Sequence, residues 1–301
     1  MTIKILIADK LAPEGATFLK AQKNVEVIEN TGLSGDALVT AIAEADGVIV
    51  RSSVKLTEEI LDKAFQNPEC RLKGIARAGV GVDNIDLQTA TKYGIAVMNS
   101  ASASTITTAE HAFALMISLA RNVANSNGVF RSGGWDRSKY VGVQLAGRTL
   151  GIVGMGRIGQ AVARRALAFG MDVIGFDPFM KEVTALDGQV RMMKSFNELI
   201  TAVDIVSFHV PRTEETDGML GAEQFAICKP DLLVVNAARG GIVNEEALIQ
   251  ALDKNQCGGA AIDGFMSEPP AEDHPFRTHP KVLATPHLGA STVEAQEAVA
   301  V

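Results

Sequence analysis

Residues 149–167 read TLGIVGMGRIGQAVARRAL. Gly154, Gly156 and Gly159 fall in the pattern G-x-G-x-x-G, after a short apolar run and before a helical pattern that starts at about Arg157. In that setting the first glycine allows a tight turn, the second lets a pyrophosphate approach the backbone, and the third lets helix pack closely on strand. The free N–H groups at the helix start face the phosphates. Asp177 closes the next apolar run, DVIGFD. A carboxylate there accepts hydrogen bonds from an adenine-ribose diol and repels a 2′-phosphate, which favours NAD over NADP. Lys181 is the nearby cation that argues the other way.

An enzyme that moves a hydride between a nicotinamide and a hydroxy acid needs two more groups. One is a cation for the carboxylate, the other an acid/base for the alcohol proton. Arg239, in VVNAARGGIVNEEAL, follows a buried strand at the end where ligands bind in such sheets. A buried guanidinium must be paired, and a substrate carboxylate offers a bidentate partner. A structural acid would satisfy the same cation, and both partners stay open. Of the five histidines, His111 lies inside an apolar helix and reads as a satisfied core residue. His274 and His279 lie in a Pro-rich loop and read as surface. His209 and His287 both end strands, and His209 could touch the cofactor. His287 is preferred because Glu268, in DGFMSEPP, precedes it on a neighbouring stretch. A carboxylate partner orients an imidazole and favours its protonated form.

These groups need a scaffold that brings strand ends together. IKILIAD, GVIVRS, GIARAG and IAVMN read as strands, separated by helical PEGATFLKAQ, GDALVTAIAEA and TEEILDKAF. A second series follows: TLGIVG, DVIGFD, DIVSFH, LLVVNA, GGAAID and VLATPH. Apolar runs without alternation suit parallel strands covered on both faces. Two series of βα units imply an α/β chain of two doubly wound parallel-sheet domains, Rossmann-like or flavodoxin-like, with substrate in the cleft between them. The glycine motif comes late because another domain is completed first. Residues 104–127 form one helix that is apolar almost all round, hence buried. It is a core helix or, from its place at the domain junction, the surface through which a homodimer forms. An exposed loop rich in Gly and charge follows it.

With 301 residues, two lobes are the default. Hydrophobic residues make up 47% and charged ones 21%, as in ordinary soluble globular chains. The net charge of −7 gives no support to a nucleic-acid or anionic-membrane partner, which leaves a small-molecule substrate. Three scattered cysteines, Cys70, Cys228 and Cys257, make neither a disulfide framework nor a zinc pattern, so no metal is expected. The N-terminus reads as a first strand rather than a signal peptide. The most apolar long segment is too short to span a bilayer. A reduced, cytoplasmic enzyme fits these features.

The motifs RSSVKLT, ARAGVGVDNID, GIVGMGRIG, HVPRTEETDGML, NAARGGIVNEEAL, DGFMSEPP and PHLGAST, in this order and spacing, carry a resemblance over essentially the whole chain. The sequence resembles the D-isomer-specific 2-hydroxyacid dehydrogenases, and within them the D-3-phosphoglycerate dehydrogenase branch. The resemblance implies that Arg239 binds the substrate carboxylate and carbonyl, that His287 exchanges the proton, and that Glu268 holds its ring. It implies that Arg157 and Ile158 meet the pyrophosphate and Asp177 the ribose. Val210, Ala237, Ala238 and Asp263 would line the nicotinamide side. The turn Gly79-Val80-Gly81 would offer N–H groups to the substrate carboxylate, Arg51 would meet a distal phosphate, and Arg137 would reach a neighbouring subunit's cleft. It also implies a substrate domain of residues 1–99 completed by 287–301, around an NAD-binding domain of residues 100–286.

The chain departs from that pattern at several points. Ser102 and Ser104 stand where the phosphoglycerate branch often has asparagines. Arg212 replaces a usual apolar residue and Gly264 a usual valine. The sequence stops at EAQEAVAV, where the family continues its helix. The implied reaction is NAD-dependent oxidation of D-3-phosphoglycerate, the entry to serine synthesis. The alternatives are a glyoxylate or hydroxypyruvate reductase with the same residues, and an NAD-sensing binding protein akin to the corepressors that share the fold.

Overall fold

The computed structural model describes residues 2–301. The chain divides into two compact units, Met1–Ser104 together with Ala290–Val301, and Thr105–Gly289. Residues 287–289 therefore belong to the second unit, with the strands that carry the glycine motif and Arg239.

In the first unit the elements run β1 (Ile3–Ile7), α1 (Pro13–Lys20), β2 (Val25–Glu29), α2 (Gly35–Ala43), β3 (Gly47–Val50), α3 (Glu58–Phe65), β4 (Gly74–Arg77), α4 (Leu87–Lys92) and β5 (Ala96–Asn99). All strand pairs are parallel, in the order β2-β1-β3-β4-β5. Leu6, Val48, Val50 and Ile75 are buried in its core with Leu38 and Ile42 of α2 and Leu61 and Ala64 of α3. Apolar side chains on both faces of the central strands are what a parallel sheet covered by helices requires.

The second unit opens with α5 (Thr105–Ala120) and α6 (Val123–Arg131). Then come β6 (Thr149–Val153), α7 (Arg157–Ala168), β7 (Asp172–Phe176), β8 (Val190–Met192), α8 (Phe196–Ala202), β9 (Ile205–Phe208), α9 (Ala222–Ile227), β10 (Leu233–Asn236), α10 (Glu245–Asp253), β11 (Gly259–Ile262) and β12 (Val282–Ala284). The parallel sheet has the order β12-β11-β10-β9-β6-β7-β8. One face is closed by Ala109, Ala112 and Met116 of α5 with Val162, Ala163 and Ala166 of α7. The other is closed by Leu199, Phe225, Leu248 and Leu252 of α8–α10. The expected doubly wound α/β architecture is what the chain adopts. The strand order in the second unit reverses at β6, where the glycine motif begins, and such switch points are where α/β sheets bind ligands.

Three expectations need correction. Residues 104–127 are not one helix: Asn122 takes a left-handed φ of 53°, which ends α5 and restarts the chain as α6. α6 buries none of its residues, so only α5 is a core helix. The Pro-rich-loop histidines are not surface residues. His274 is half-buried, held by Glu245 at 3.1 Å and packed edge-on against Phe265 and Phe276. His279 is half-buried beside Asp253, at 3.5 Å. After the second unit the chain returns as α11 (Val293–Ala300), which packs on α1; a β-carbon at Gly15 would stand 2.5 Å from the Ala300 carbonyl oxygen. Among the described residues no helix is long and apolar enough to cross a membrane.

Candidate active site

The glycine turn joins β6 to α7. Gly154 has φ +90°, in a region that L side chains rarely adopt, and a β-carbon there would lie 2.6 Å from the His209 carbonyl oxygen. A β-carbon on Gly159 would fall on the Gly154 carbonyl, so helix and strand could not approach as they do. Gly156, by contrast, has nothing within 4 Å of its β-position and is exposed. It is also the N-cap of α7, and no side chain caps that end. Thr57, Asp86, Ser195 and Asn244 do cap α3, α4, α8 and α10. Open space and uncapped amides at a helix start fit a pyrophosphate. Arg157 is exposed in the first turn of α7, while Ile158 packs partly into the core below.

Asp177 follows β7. Its Oδ2 accepts the Met155 amide at 2.9 Å and its Oδ1 the Phe179 amide at 2.9 Å. The carboxylate thus braces the glycine turn, and each oxygen keeps a lone pair for a ribose hydroxyl. His209 follows β9, with its Nε2 2.9 Å from Ser207 Oγ, and burial pushes its ring down to about 4. It is neutral at ordinary pH and adds no charge beside the turn. Val210 packs its Cγ1 2.6 Å from the β-position of Gly154.

The remaining groups follow the adjacent strands β10, β11 and β12. Buried Asn236 shapes the first of these loops: its Nδ2 donates to the Arg239 carbonyl at 2.8 Å, and its Oδ1 accepts the Ala238 amide at 3.1 Å. Ala237 is buried and Ala238 half-buried. Half-buried Arg239 donates from Nη1 to the Ala238 carbonyl at 2.7 Å, which folds its guanidinium back over its own turn. On the next loop Glu268 Oε1 accepts the Phe265 amide at 3.1 Å, and Glu245 accepts the Met266 amide at 2.8 Å. His287 Nδ1 meets both Glu268 oxygens, at 2.9 and 2.8 Å. With Nδ1–H donated to the carboxylate, Nε2 is the nitrogen left to exchange a proton. Both side chains are close to half exposed, at 45% and 40%, so a diffusible molecule can reach them.

Asp263, the first residue past β11, is 1% exposed. Its Oδ1 accepts from Thr285 Oγ1 at 2.6 Å and the Leu288 amide at 2.7 Å, and His111 Nε2 lies at 3.1 Å. Its Oδ2 accepts the Gly289 amide at 2.8 Å. Burial alone would raise this carboxyl; the His111 ring, the Thr285 hydroxyl and the Leu288 amide outweigh it and hold it below its ordinary value. Sequence reasoning missed His111, Asn236, Thr285 and Glu245. An Asn before a strand-end turn was a legible signal for Asn236. Nothing local marks His111.

In the first unit Arg51 follows β3. Asp9 accepts its amide at 2.7 Å, and Asn84 donates to its carbonyl at 2.7 Å. Gly79, Val80 and Gly81 follow the adjacent β4; Gly79 has φ +149°, and a β-carbon there would fall on the Arg77 guanidinium. Ser102 is exposed, whereas Ser104 is 2% exposed, so only the first is open to a ligand. In the second unit Arg137 is exposed. Arg212 pairs with Asp217 at 2.7 Å and lies across Gly241, which accounts for a charged residue at that position. Among the described residues no three His, Cys, Asp or Glu side chains gather as a metal site.

Residues 113–289 match the family model described as D-isomer specific 2-hydroxyacid dehydrogenase, NAD binding domain. The D-3-phosphoglycerate dehydrogenase of Bacillus subtilis is 44% identical over 298 residues, covering 99% of this chain and 55% of the relative. That of Methanocaldococcus jannaschii is 43% identical over 296 residues, covering 98% of this chain and 55% of the relative. The chain spans about half the length of these curated relatives. A glyoxylate reductase from Paecilomyes thermophila superposes with a TM-score of 0.89 at 27% identity, covering 99% of this chain and 92% of that one. The chain belongs to the D-isomer specific 2-hydroxyacid dehydrogenase family, with NAD as the cofactor of its second unit.

Proposed function

We propose that the protein oxidises D-3-phosphoglycerate to 3-phosphohydroxypyruvate with NAD, the first step of serine biosynthesis, and catalyses the reverse reduction. The observation that carries the reading is the His287–Glu268 pair at the end of β12, two strands from the Arg239 turn at the end of β10. NAD, when bound, supplies the acceptor for the hydride that leaves C2 of the hydroxy acid. Glu268 holds Nδ1–H, so His287 Nε2 takes the hydroxyl proton in oxidation and returns it in reduction. The carboxylate also offsets the charge that the ring gains. Arg239 pairs with the substrate carboxylate through its planar fork and fixes C2. The uncapped amides of α7 and Arg157 hold the pyrophosphate; Asp177 takes the ribose hydroxyls. Arg51 supplies a cation for the distal phosphate, and the Gly79–Gly81 turn supplies amides for the carboxylate. The phosphoglycerate assignment draws on the two relatives of that name.

The test compares loss of NADH absorbance with 3-phosphohydroxypyruvate, hydroxypyruvate and glyoxylate. A strong preference in kcat/KM for the phosphorylated acid is expected. Preference for glyoxylate would reassign the chain to the reductase reading, which Ser102 and the superposable glyoxylate reductase favour. NADH binding without turnover on any of them would favour an NAD-responsive binding protein. We also propose a homodimer through the α5–α6 region, with Arg137 reaching the other copy. α6 buries none of its residues, and Phe130, Trp135 and Val141 are 63%, 77% and 79% exposed, an apolar surface that calls for a partner. A monomer in light scattering at working concentration would overturn it.

A further inference from the structure

His287 sits in a conformation that its β-carbon disfavours, with φ +52°, and its amide donates back to the Thr285 carbonyl at 2.9 Å. Such a residue persists only where its surroundings over-determine it. Here the surroundings converge on one carboxylate. Asp263 binds the Thr285 hydroxyl on one side of His287 and the Leu288 and Gly289 amides on the other. All three of those donors come from the segment around His287. The fourth partner, His111, comes from α5, 174 residues before Thr285 in sequence, and stands 3.1 Å from Asp263 Oδ1 and 3.3 Å from Thr285 Oγ1. Since Thr285 Oγ1 donates to Asp263, the His111 Nε2–H is the donor that fits this carboxylate. A carboxylate 1% exposed needs its donors, and losing one leaves it free to turn away from the others.

We propose that His111 is a positioning residue for His287. From α5 it locks the Asp263 carboxylate, and that carboxylate holds the 285–289 turn in the conformation that presents the imidazole to substrate. The inference rests on the reading of His287 as the acid/base. Misplacing a reacting group by about an ångström slows chemistry by up to roughly 100-fold.

The experiment uses the full chain and reads two things. The first is amide hydrogen exchange by NMR at Leu288 and Gly289, with Gly154, whose amide donates to Phe176 at 2.9 Å, as the control. The second is kcat for 2-oxo acid reduction beside NADH affinity. In His111→Leu, exchange at Leu288 and Gly289 is expected to rise by about tenfold with Gly154 unchanged. Its kcat should fall roughly 10- to 100-fold, with NADH affinity within about twofold. His111→Gln places an amide donor where Nε2 was and should restore both readouts. In a His287→Ala background His111→Leu should lower kcat no further, whereas a merely structural role would subtract again. If His111→Leu does not fold, His111→Asn, whose amide stops a bond short of Asp263, takes its place. Wild-type exchange at Leu288 and Gly289, wild-type kcat, or an additive loss would each overturn the proposal. An inactive wild-type protein would remove the reading of His287 as acid/base, while the exchange data would still decide whether His111 holds the turn.

Discussion

Asp177→Ala and Asp177→Asn separate the bracing of the glycine turn from the proposed reading of the ribose by one carboxylate. The alanine substitution removes the acceptor of two backbone amides, and the two losses are unequal. Phe179 is 97% exposed, so water takes over its amide. Met155 is fully buried in the glycine turn, and its amide would be left without a partner. A buried donor deprived of a charged acceptor costs about 1.5–3 kcal/mol. That is roughly a 10- to 100-fold change in any equilibrium that depends on the formed turn. Asp177→Asn keeps an oxygen for Met155 but removes the charge that repels a 2′-phosphate. Urea unfolding followed by circular dichroism should place Asp177→Asn within about 0.5 kcal/mol of wild type and Asp177→Ala about 1.5–3 kcal/mol below it. Fluorescence titrations should show the NADH-over-NADPH preference narrowing in Asp177→Asn, and both dinucleotides weakened in Asp177→Ala. If Asp177→Ala unfolds like wild type and gains affinity for NADPH, the carboxylate is only a ribose reader and the bracing argument is wrong.

His287→Ala should lower kcat by about 10²–10⁴-fold with little change in NADH affinity, since only the proton transfer is removed; wild-type turnover in that variant would exclude His287 as the acid/base. His209, held down to about 4 by burial, contributes no pH dependence to stability above its unfolded value of about 6.5. As pH falls from there towards 4 the unfolded chain binds a proton that the folded chain refuses, so stability should drop by at most about 3 kcal/mol. That acid slope should flatten in His209→Gln when urea midpoints are compared across the window; an unchanged slope would mean the ring is wet. Gly264→Val would bring a β-carbon to 3.0 Å from the Gly240 amide nitrogen and 3.2 Å from the Arg239 carbonyl carbon, tight enough to move the Arg239 turn. Its expected signature is a raised KM for 2-oxo acids at near-constant NADH affinity, and an unchanged KM would show that the loops give way.

The central strands β9, β10 and β11 were legible as short, mostly apolar runs with nearly every residue buried. β2 and β8 were not: VEVIE is an edge strand with no fully buried residue, and VRM is an edge strand three residues long. α4, LQTATK, is too short for its period to show. The break at Asn122 carries neither Gly nor Pro, so the apolar pattern of residues 104–127 ran through it. Among the candidate site residues, the glycine motif, Asp177, Arg239, Glu268 and His287 were legible as candidates because each has a telling chemical type close after a strand. Helical spacing shows only which face of α5 His111 occupies, and on that basis it reads as a core residue. Its contact with Asp263 joins residues far apart in sequence, and single-chain periodicity carries no such information.

The packing of Gly289 against the start of α5 bears on how the chain is assembled. A β-carbon at Gly289 would stand 3.6 Å from Thr108, so the second unit begins and ends in one place. The first unit is left unfinished when that insertion starts, because α11, the partner of α1, comes after it in the chain. Joining α1 and α11 across a slack loop on the order of 200 residues would carry a closure entropy of about 4–5 kcal/mol. A folded insertion with adjoining ends removes most of that penalty. Residues 105–289, once folded, act as a staple that brings α11 back to α1.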